Sequence, residues 1–339
     1  MSSTILVHPK FDGIWPLAAD HAHRLWSAQG EVEFVRVTND DTRAAHQIVA
    51  DPRRISRMLL CGVPLDEHAL DAFPVLCEVG GGGQYAESWH SKTLFDALNA
   101  RGIRVIQQKS EGFWGQSVAE FGLALTLCGL RRIPQMHHNI LTSHYNWQFR
   151  PDDFGLPGAP GQQFGDDPNF TNGTLEGKRV RVVGAGNIAS RYASFCHFLG
   201  ADVAAWDPFA PEPCFHRAGS RREHFLEHMV QDAEIFAPMV PLTAETRGLV
   251  TASHIESLPK GTLVVMVTRA AIVDVPALIQ RVLNDELALA ADVFDIEPLP
   301  LKDPLLGRHN VVHTPHIAGL TRQANERYTE ALIAQFAPG

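Results

Sequence analysis

Short apolar stretches alternate with longer amphipathic stretches along most of the chain, a pattern typical of parallel β-sheets whose strands are joined by helices. In the first third, the apolar runs predict five strands: Thr4–Val7, Glu31–Val37, Arg57–Leu60, Val75–Val79 and Ile103–Ile106. Amphipathic stretches near residues 18–28 and 91–100 predict helices between them. We therefore expect a first α/β unit of about 115 residues.

A longer apolar helix is predicted over residues 117–130, and the helical pattern continues to about Tyr145. Ser117 and Glu120 have the spacing of a capping box, which predicts that this helix begins at Ser117. Residues 151–177 then lack periodicity and are rich in Gly, Pro, Asp and Asn. This composition predicts a long surface loop, either a solvated connector or an arm that covers a partner subunit or an active site.

The strand and helix alternation resumes after the loop and predicts a second, doubly wound parallel sheet. Its six predicted strands are Arg179–Val183, Asp202–Trp206, Glu234–Pro238, Thr262–Thr268, Ala288–Val293 and Asn310–His313. One more helix is predicted over residues 321–336.

Composition narrows the class of protein. A chain of 339 residues suggests roughly two domains, and 45% hydrophobic with 20% charged residues is ordinary for a globular protein. The net charge of −9 argues against a nucleic-acid-binding protein, which needs a basic face. Neither a membrane-spanning apolar run nor a signal-peptide layout is present, and the five cysteines are odd in number and scattered. We therefore expect a cytoplasmic protein with no membrane or nucleic-acid partner.

A glycine-rich turn follows the first strand of the second unit. Residues 184–189 read G-x-G-x-x-A between a predicted strand and a predicted helix. Gly184 permits the tight turn, Gly186 lets backbone amides approach a diphosphate, and the helix start at Asn187 and Ile188 supplies further amides. Asp207 ends the next strand, where a carboxylate accepts from ribose hydroxyls, and no Arg or Lys follows it closely. The pattern predicts a dinucleotide site that favours NAD over NADP.

Three chemically active side chains follow later strands of the same sheet. Arg269, Glu297 and His316 all lie beyond the carboxyl ends of predicted parallel strands, where open α/β sheets bind ligands. A guanidinium can orient a carboxylate and polarise a carbonyl, and an imidazolium can protonate a forming alkoxide. A carboxylate beside the imidazole would hold it in place and stabilise its charged form. The set therefore suits hydride transfer to a 2-oxo acid.

Four segments resemble the D-isomer-specific 2-hydroxyacid dehydrogenase family, and the resemblance extends over nearly the whole chain. They are residues 241–249 (PLTAETRGL), 268–274 (TRAAIVD), 292–299 (DVFDIEPL) and 314–319 (TPHIAG). The resemblance implies two doubly wound parallel-sheet domains, with a Rossmann cofactor domain inserted into a flavodoxin-like substrate domain. It places the substrate domain at residues 1–117, the NAD-binding domain at 118–317 and a returning C-terminal helix at 318–339.

The resemblance also implies roles for individual residues. Arg269 would bind substrate, His316 would act as acid and base, and Glu297 would be the partner of His316. Further NAD-binding positions carried over from the family motifs are Thr243, Thr246, Thr268 and Asp292. Backbone amides of Gly81, Gly82 and Gly83, within a run of four glycines, would bind the substrate carboxylate.

The implied activity is NAD-dependent interconversion of a 2-oxo acid and its D-2-hydroxy acid, with glyoxylate or hydroxypyruvate reduction as one open subclass, in a homodimer joined through the cofactor domain. Three departures from the family pattern, Ala270, Met239 and residues 107–109, leave the substrate open. An NAD(H)-sensing binding protein of the same fold, resembling a co-repressor, is the alternative. Residues 224–228 read H-x-x-E-H, which makes a zinc site geometrically conceivable if both histidines lie on one helix.

Overall fold

The computed structural model describes residues 2–81, 91–107, 112–148 and 162–337. The chain divides into two compact units. The first contains residues 1–113 and 320–339, and the second is the continuous stretch 114–319. The sequence prediction had placed these changes at 117/118 and 317/318.

The first unit is built on a five-stranded, entirely parallel sheet. Its strands are β1 (Ser2–Val7), β2 (Val32–Arg36), β3 (Ile55–Cys61), β4 (Glu78–Gly81) and β5 (Arg104–Ile106). The strand order β2-β1-β3-β4-β5 is that of the flavodoxin-like doubly wound fold.

Helices cover both faces of this sheet. They are α1 (Pro9–Asp12), α2 (Ala18–Ser27), α3 (Ala45–Ile48), α4 (Lys92–Ala100) and, from the end of the chain, α12 (Arg322–Ile333). Helix α12 packs on α2, where the Thr329 hydroxyl donates to the carbonyl of Ala18 over 3.1 Å. The rings of Trp15 and Tyr328 stack beside it with centroids 4.6 Å apart. The C-terminal helix therefore belongs to the first unit.

The second unit contains a seven-stranded parallel sheet. Its strands are β6 (Arg179–Val183), β7 (Asp202–Trp206), β8 (Arg221–Glu223), β9 (Ile235–Pro238), β10 (Leu263–Met266), β11 (Ala288–Ala291) and β12 (Val311–His313). The order β12-β11-β10-β9-β6-β7-β8 extends the Rossmann order by one strand. The direction of winding reverses between β6 and β9, so ligands are expected beyond the carboxyl ends of these strands.

Seven helices of the second unit connect or precede these strands. They are α5 (Gly115–Arg131), α6 (Ile133–Thr142), α7 (Asn187–Phe198), α8 (Glu212–Ala218), α9 (Leu226–Met229), α10 (Ala252–Ser257) and α11 (Val275–Leu283). Helix α5 lies close to β10 because it has a glycine at the contact. A Cβ on Gly129 would lie only 2.8 Å from two side-chain atoms of Leu263.

A buried guanidinium fixes the amino ends of three strands in this sheet. Arg181 on β6 is 1% exposed and bonds Asp232 through Nε and Nη2 over 2.7 and 2.6 Å. It also donates to the Asp202 carbonyl over 3.0 Å. The hydrogen bonds from Arg181 lower the pKa of the Asp232 carboxyl, partly offset by burial.

Two expectations about the linking helix are wrong. The helix begins at Gly115 rather than Ser117, and the Ser117 hydroxyl donates to the Trp114 carbonyl instead of capping the helix. The helix also does not continue unbroken to Tyr145. Arg132 adopts a left-handed conformation with φ of 51°, and α6 starts afresh with Pro134 in its first turn. A proline there lacks the N–H that a continuing helix would need.

Other differences concern strands and the long loop. The predicted strand over 75–79 begins only at Glu78, and Val75 is 47% exposed. Residues 149–161 lie outside the described part, but residues 162–177 are not a solvated connector. Phe170 and Leu175 are buried in the core of the second unit, and the Thr171 amide donates to the Gly261 carbonyl over 2.8 Å.

Candidate active site

The glycine turn lies at the reversal point of the second sheet. Gly184 has φ of +108°, and a Cβ there would approach Val240 Cγ1 to 3.0 Å and the Met239 carbonyl oxygen to 3.3 Å. Gly186 is the N-cap residue of α7, without a side-chain cap, and the space where its Cβ would stand is open. Within the described part of the chain, the amides of Gly186, Ile188 and Ala189 have no acceptor. The turn therefore fits a diphosphate, which would accept from these amides.

Asp207 lies directly beside this turn. Its Oδ2 accepts from the Ala185 amide over 2.9 Å, and its Oδ1 accepts from the amides of Phe209 and Ala210 over 3.0 and 3.1 Å. The carboxylate is thus fixed between the glycine turn and the turn that follows β7. Oδ2 accepts from only one amide and so keeps a second lone pair for a ribose hydroxyl, which fits the adenosine ribose of a dinucleotide.

Asp292 holds the loop that follows β12. It is fully buried at the end of β11, and its Oδ1 accepts from the Thr314 hydroxyl over 2.6 Å and from the Ile317 amide over 3.0 Å. Its Oδ2 accepts from the Ala318 amide over 2.8 Å. Three donors from one loop thus converge on a single carboxylate. The sequence had assigned Asp292 to the cofactor, and this loop-holding contribution was missed because its partners lie 22 to 26 residues away.

His316 lies at the centre of the loop that Asp292 holds. Its φ is +56°, a conformation that few non-glycine residues adopt and that surrounding contacts must enforce. Its ring Nδ1 lies 2.7 Å from Oε2 of Glu297, and the other carboxylate oxygen accepts from the Phe294 amide over 2.8 Å. Glu297 therefore orients the ring through Nδ1, and Nε2 has no hydrogen-bond partner among the described residues, which suits it to a reacting molecule. The two side chains are 40% and 35% exposed.

Arg269 follows β10, the neighbour of β11 in the sheet. The registers align Met266 of β10 with Ala291 of β11 and with His313 of β12, so Arg269, Asp292 and His316 follow the same edge. Arg269 Nη1 donates to the Thr268 carbonyl over 2.7 Å. Among the described residues it forms no ion pair with a carboxylate. A half-buried guanidinium without a counter-ion is suited to bind an anionic substrate.

The three threonines predicted near the cofactor shape loops at this edge. The Thr246 hydroxyl donates to the Pro241 carbonyl over 2.5 Å and accepts from the Thr243 amide over 2.7 Å. Thr268 is buried, with its hydroxyl 3.4 Å from the Pro238 carbonyl. These bonds hold the segment after β9 and leave the NAD-binding assignment of all three residues a prediction.

Two of the three glycines predicted for substrate binding, Gly82 and Gly83, lie outside the described residues. Gly81 is the last residue of β4, at the carboxyl edge of the first sheet, and is buried. Of the departures from the family pattern, Met239 is 3% exposed, and its Cε lies 3.2 Å from where a Cβ of Gly122 would stand. Ala270 is also buried, at 5% exposure.

The H-x-x-E-H segment does not form the arrangement that a zinc site on one helix requires. Helix α9 begins at Leu226, so His224 precedes the helix that contains His228. No cluster of three potential metal-ligating side chains occurs in the described residues. Within the same residues, every helix is too short or too polar to cross a membrane.

Comparison with known proteins identifies a family. A family model described as the D-isomer specific 2-hydroxyacid dehydrogenase, NAD binding domain, matches residues 123–318. D-3-phosphoglycerate dehydrogenase of Archaeoglobus fulgidus is 31% identical over 230 residues, which cover 68% of this chain but 39% of that protein. Glyoxylate reductase of Aeropyrum pernix is 30% identical over 259 residues, 72% of this chain and 70% of that protein.

Solved structures show the same fold at lower identity. A D-lactate dehydrogenase of Treponema pallidum aligns with a TM-score of 0.69 at 16% identity, covering 98% of this chain and 95% of that one. A phosphoglycerate oxidoreductase of Rhizobium etli aligns with a TM-score of 0.67 at 20% identity, covering 97% and 92%. The two parallel-sheet domains and the Rossmann fold expected from the sequence are therefore confirmed, and the matched family domain makes NAD the cofactor of the second unit.

Proposed function

Because the chain belongs to the D-isomer specific 2-hydroxyacid dehydrogenases, we propose that it interconverts a 2-oxo acid and its D-2-hydroxy acid with NAD(H). One observation carries the proposal: the His316–Glu297 pair and Arg269, which forms no ion pair among the described residues, follow strands at the same sheet edge as the dinucleotide turn. A cation, an imidazole with an oriented ring and a cofactor site at one edge are the groups that reduction of a 2-oxo acid requires.

Cofactor binding, substrate binding and proton transfer would be carried out by different residues. The open amides of the glycine turn and the carboxylate of Asp207 would hold NADH, which when bound supplies a hydride. Arg269 would bind the substrate carboxylate and polarise its keto oxygen. His316, as imidazolium, would give the proton on Nε2 to the oxygen of the forming alcohol, while the proton on Nδ1 stays on the ring and is donated to the Glu297 carboxylate. In the oxidative direction the neutral imidazole would accept that proton.

We assign the first unit to the substrate and the second to the cofactor. Gly81, at the end of β4, supports this assignment because the carboxyl edge of a doubly wound sheet is where ligands bind. The neighbouring Gly82 and Gly83 would add backbone amides for the substrate carboxylate. Glyoxylate and hydroxypyruvate are the substrates we favour, supported by the glyoxylate reductase of Aeropyrum pernix and by the glyoxylate/hydroxypyruvate reductase B of an Enterobacter species, 29% identical over 252 residues.

We propose that the protein is a homodimer joined through the second unit. Helix α6 has no buried residue, and apolar side chains on and beside it are about half exposed or more. They are Ile133, Ile140, Leu141, Trp147 and Phe164. Exposed apolar side chains on neighbouring segments favour association. Light scattering should give twice the chain mass, and Leu141→Glu with Trp147→Glu should give a monomer; a wild-type monomer would contradict the proposal.

The activity is tested with glyoxylate, hydroxypyruvate, pyruvate, 3-phosphohydroxypyruvate and a bulkier 2-oxo acid, each with NADH and with NADPH. We expect NADH-dependent turnover of at least one, and a product of D configuration by chiral chromatography. His316→Ala should lower turnover by orders of magnitude and still bind NADH. His313→Ala, at the exposed end of β12, is the matched control and should keep full activity.

NADH binding by calorimetry without turnover of any substrate would reject the enzyme and favour the NAD(H)-sensing alternative. Full activity in His316→Ala would reject the role of this histidine while leaving the enzyme class standing.

A further inference from the structure

The second turn of α7 contains a positively charged side chain that the glycine motif does not explain. Arg191 lies one turn into the helix, and its Nη1 reaches back to donate to the Asn187 carbonyl oxygen over 2.9 Å. The same nitrogen also contacts the side-chain oxygen of Asn187. Its guanidinium therefore lies against Asn187, the first residue of α7, whose neighbours in the chain, Gly186 and Ile188, carry open amides.

This is an unfavourable position for a cation in the free protein. The amino end of a helix has a partial positive charge, so a guanidinium there is repelled by the helix dipole. Nor is the charge compensated by a carboxylate, because Arg191 forms no ion pair within the described residues. An anion at the turn would face both the dipole and the guanidinium and would remove this repulsion.

We propose that the Arg191 guanidinium binds the diphosphate of the dinucleotide. Only Nη1 is engaged by Asn187, so donors on Nε and Nη2 remain for phosphate oxygens. A planar guanidinium can donate two parallel bonds to a phosphate, which a backbone amide cannot. Asn187 then acts as a positioning residue that holds the guanidinium over the turn. The inference rests on the proposed function, since it takes NAD(H) as the dinucleotide.

Calorimetric titration of the whole protein with ADP-ribose and with adenosine tests the assignment. ADP-ribose contains the diphosphate and adenosine does not, and neither contains the nicotinamide ring. We expect Arg191→Ala to weaken ADP-ribose binding about tenfold or more and to leave adenosine binding within about twofold. Arg191→Lys should restore part of the affinity, since an ammonium keeps the charge but not the planar donor pair.

Salt dependence and thermal melting separate binding from a structural role. The decrease of ADP-ribose affinity with added salt should be shallower in Arg191→Ala, because one charge contact is lost. The matched control is Arg217→Ala. Arg217 is an exposed arginine on α8 whose Nε donates to the Pro213 carbonyl, and its alanine variant should bind both ligands as the wild type does.

Unchanged ADP-ribose affinity in Arg191→Ala would overturn the assignment. So would an equal loss for ADP-ribose and adenosine together with a lower melting temperature of the ligand-free variant, which would mean that Arg191 only stabilises α7. Because no oxo acid is present, these results are independent of the proposed reaction. A protein that turns over no oxo acid can still lose ADP-ribose affinity in Arg191→Ala. An active enzyme can equally keep that affinity in the variant.

Discussion

Replacement of Glu297 by Gln tests the reaction chemistry most directly. In the wild type both carboxylate oxygens accept, one from His316 Nδ1 over 2.7 Å and the other from the Phe294 amide over 2.8 Å. Glutamine has nearly the same shape but only one acceptor oxygen. Its NH2 group must face either His316 Nδ1 or the Phe294 amide, so the hydrogen bond to that donor is lost. The remaining hydrogen bond is accepted by an uncharged amide oxygen instead of a carboxylate.

The size of the effect follows from these contacts. A hydrogen bond to a charged group contributes about 1.5–3 kcal/mol. Both side chains are more than a third exposed, so solvent screening reduces this to about 1–2 kcal/mol. Because the imidazolium is the form that gives up the proton, the loss should be felt in the chemical step. We expect kcat for 2-oxo acid reduction to decrease about 5- to 30-fold.

Steady-state kinetics with the best 2-oxo acid, with NADH affinity measured separately, checks the prediction. Asp295→Asn is the matched control, because it removes the same charge from the same loop at an exposed position. The control should retain kcat, and NADH binding should be unchanged in both variants. If Glu297→Gln retained wild-type kcat, or if Asp295→Asn lost as much, a direct bond between Glu297 and His316 would not explain the catalysis.

Three further variants test other parts of the site and fold. Arg269→Ala should raise KM for the 2-oxo acid by about tenfold or more, with NADH affinity kept, because a charged bond to the substrate carboxylate is lost; an unchanged KM would count against that contact. Asp207→Ala should weaken NADH binding by about tenfold and narrow its advantage over NADPH, as calorimetry with both would show, whereas equal NADH affinity would contradict the ribose contact. Asp232→Asn should lower the melting temperature at neutral pH, since Arg181 lowers the pKa of this carboxyl below 3.8 and the stabilisation is present above that value. The difference from wild type should disappear as the pH decreases through the folded-state pKa, and a difference that persisted in strong acid would contradict the linkage.

Buried strands were the elements most predictable from sequence. The strand Arg179–Val183 was predicted at the residues where it is found, because a run of valines ends at a glycine that must turn. The edge strand Arg221–Glu223 was missed because its residues are all charged. Ion pairs of Arg221 with Asp202 and Glu223 stabilise it, and these pairs depend on tertiary neighbours that a linear pattern does not show.

The candidate site was predictable to a similar degree. Arg269, Glu297 and His316 are proposed from their positions after predicted strands, and the parallel order of the sheet places those strands side by side. The bonds of Asp292 to the loop around His316 were not predictable, since nothing local links an aspartate to amides more than twenty residues away. The break before α6 did have a signal, since Pro134 cannot donate within a continuing helix.

The continuity of residues 114–319 affects how such a chain can diversify. The glycine turn, Arg269, Glu297 and His316 are all encoded in one uninterrupted stretch, whereas the other unit is assembled from both flanks. Under the proposed assignment of the first unit to the substrate, insertions, deletions or recombination in the flanks would alter which substrates bind without changing the spacing of Arg269, Glu297 and His316 along the chain. The gene segment that encodes the proposed reactive residues and the segments that encode the proposed substrate unit therefore meet at only two boundaries, 113/114 and 319/320.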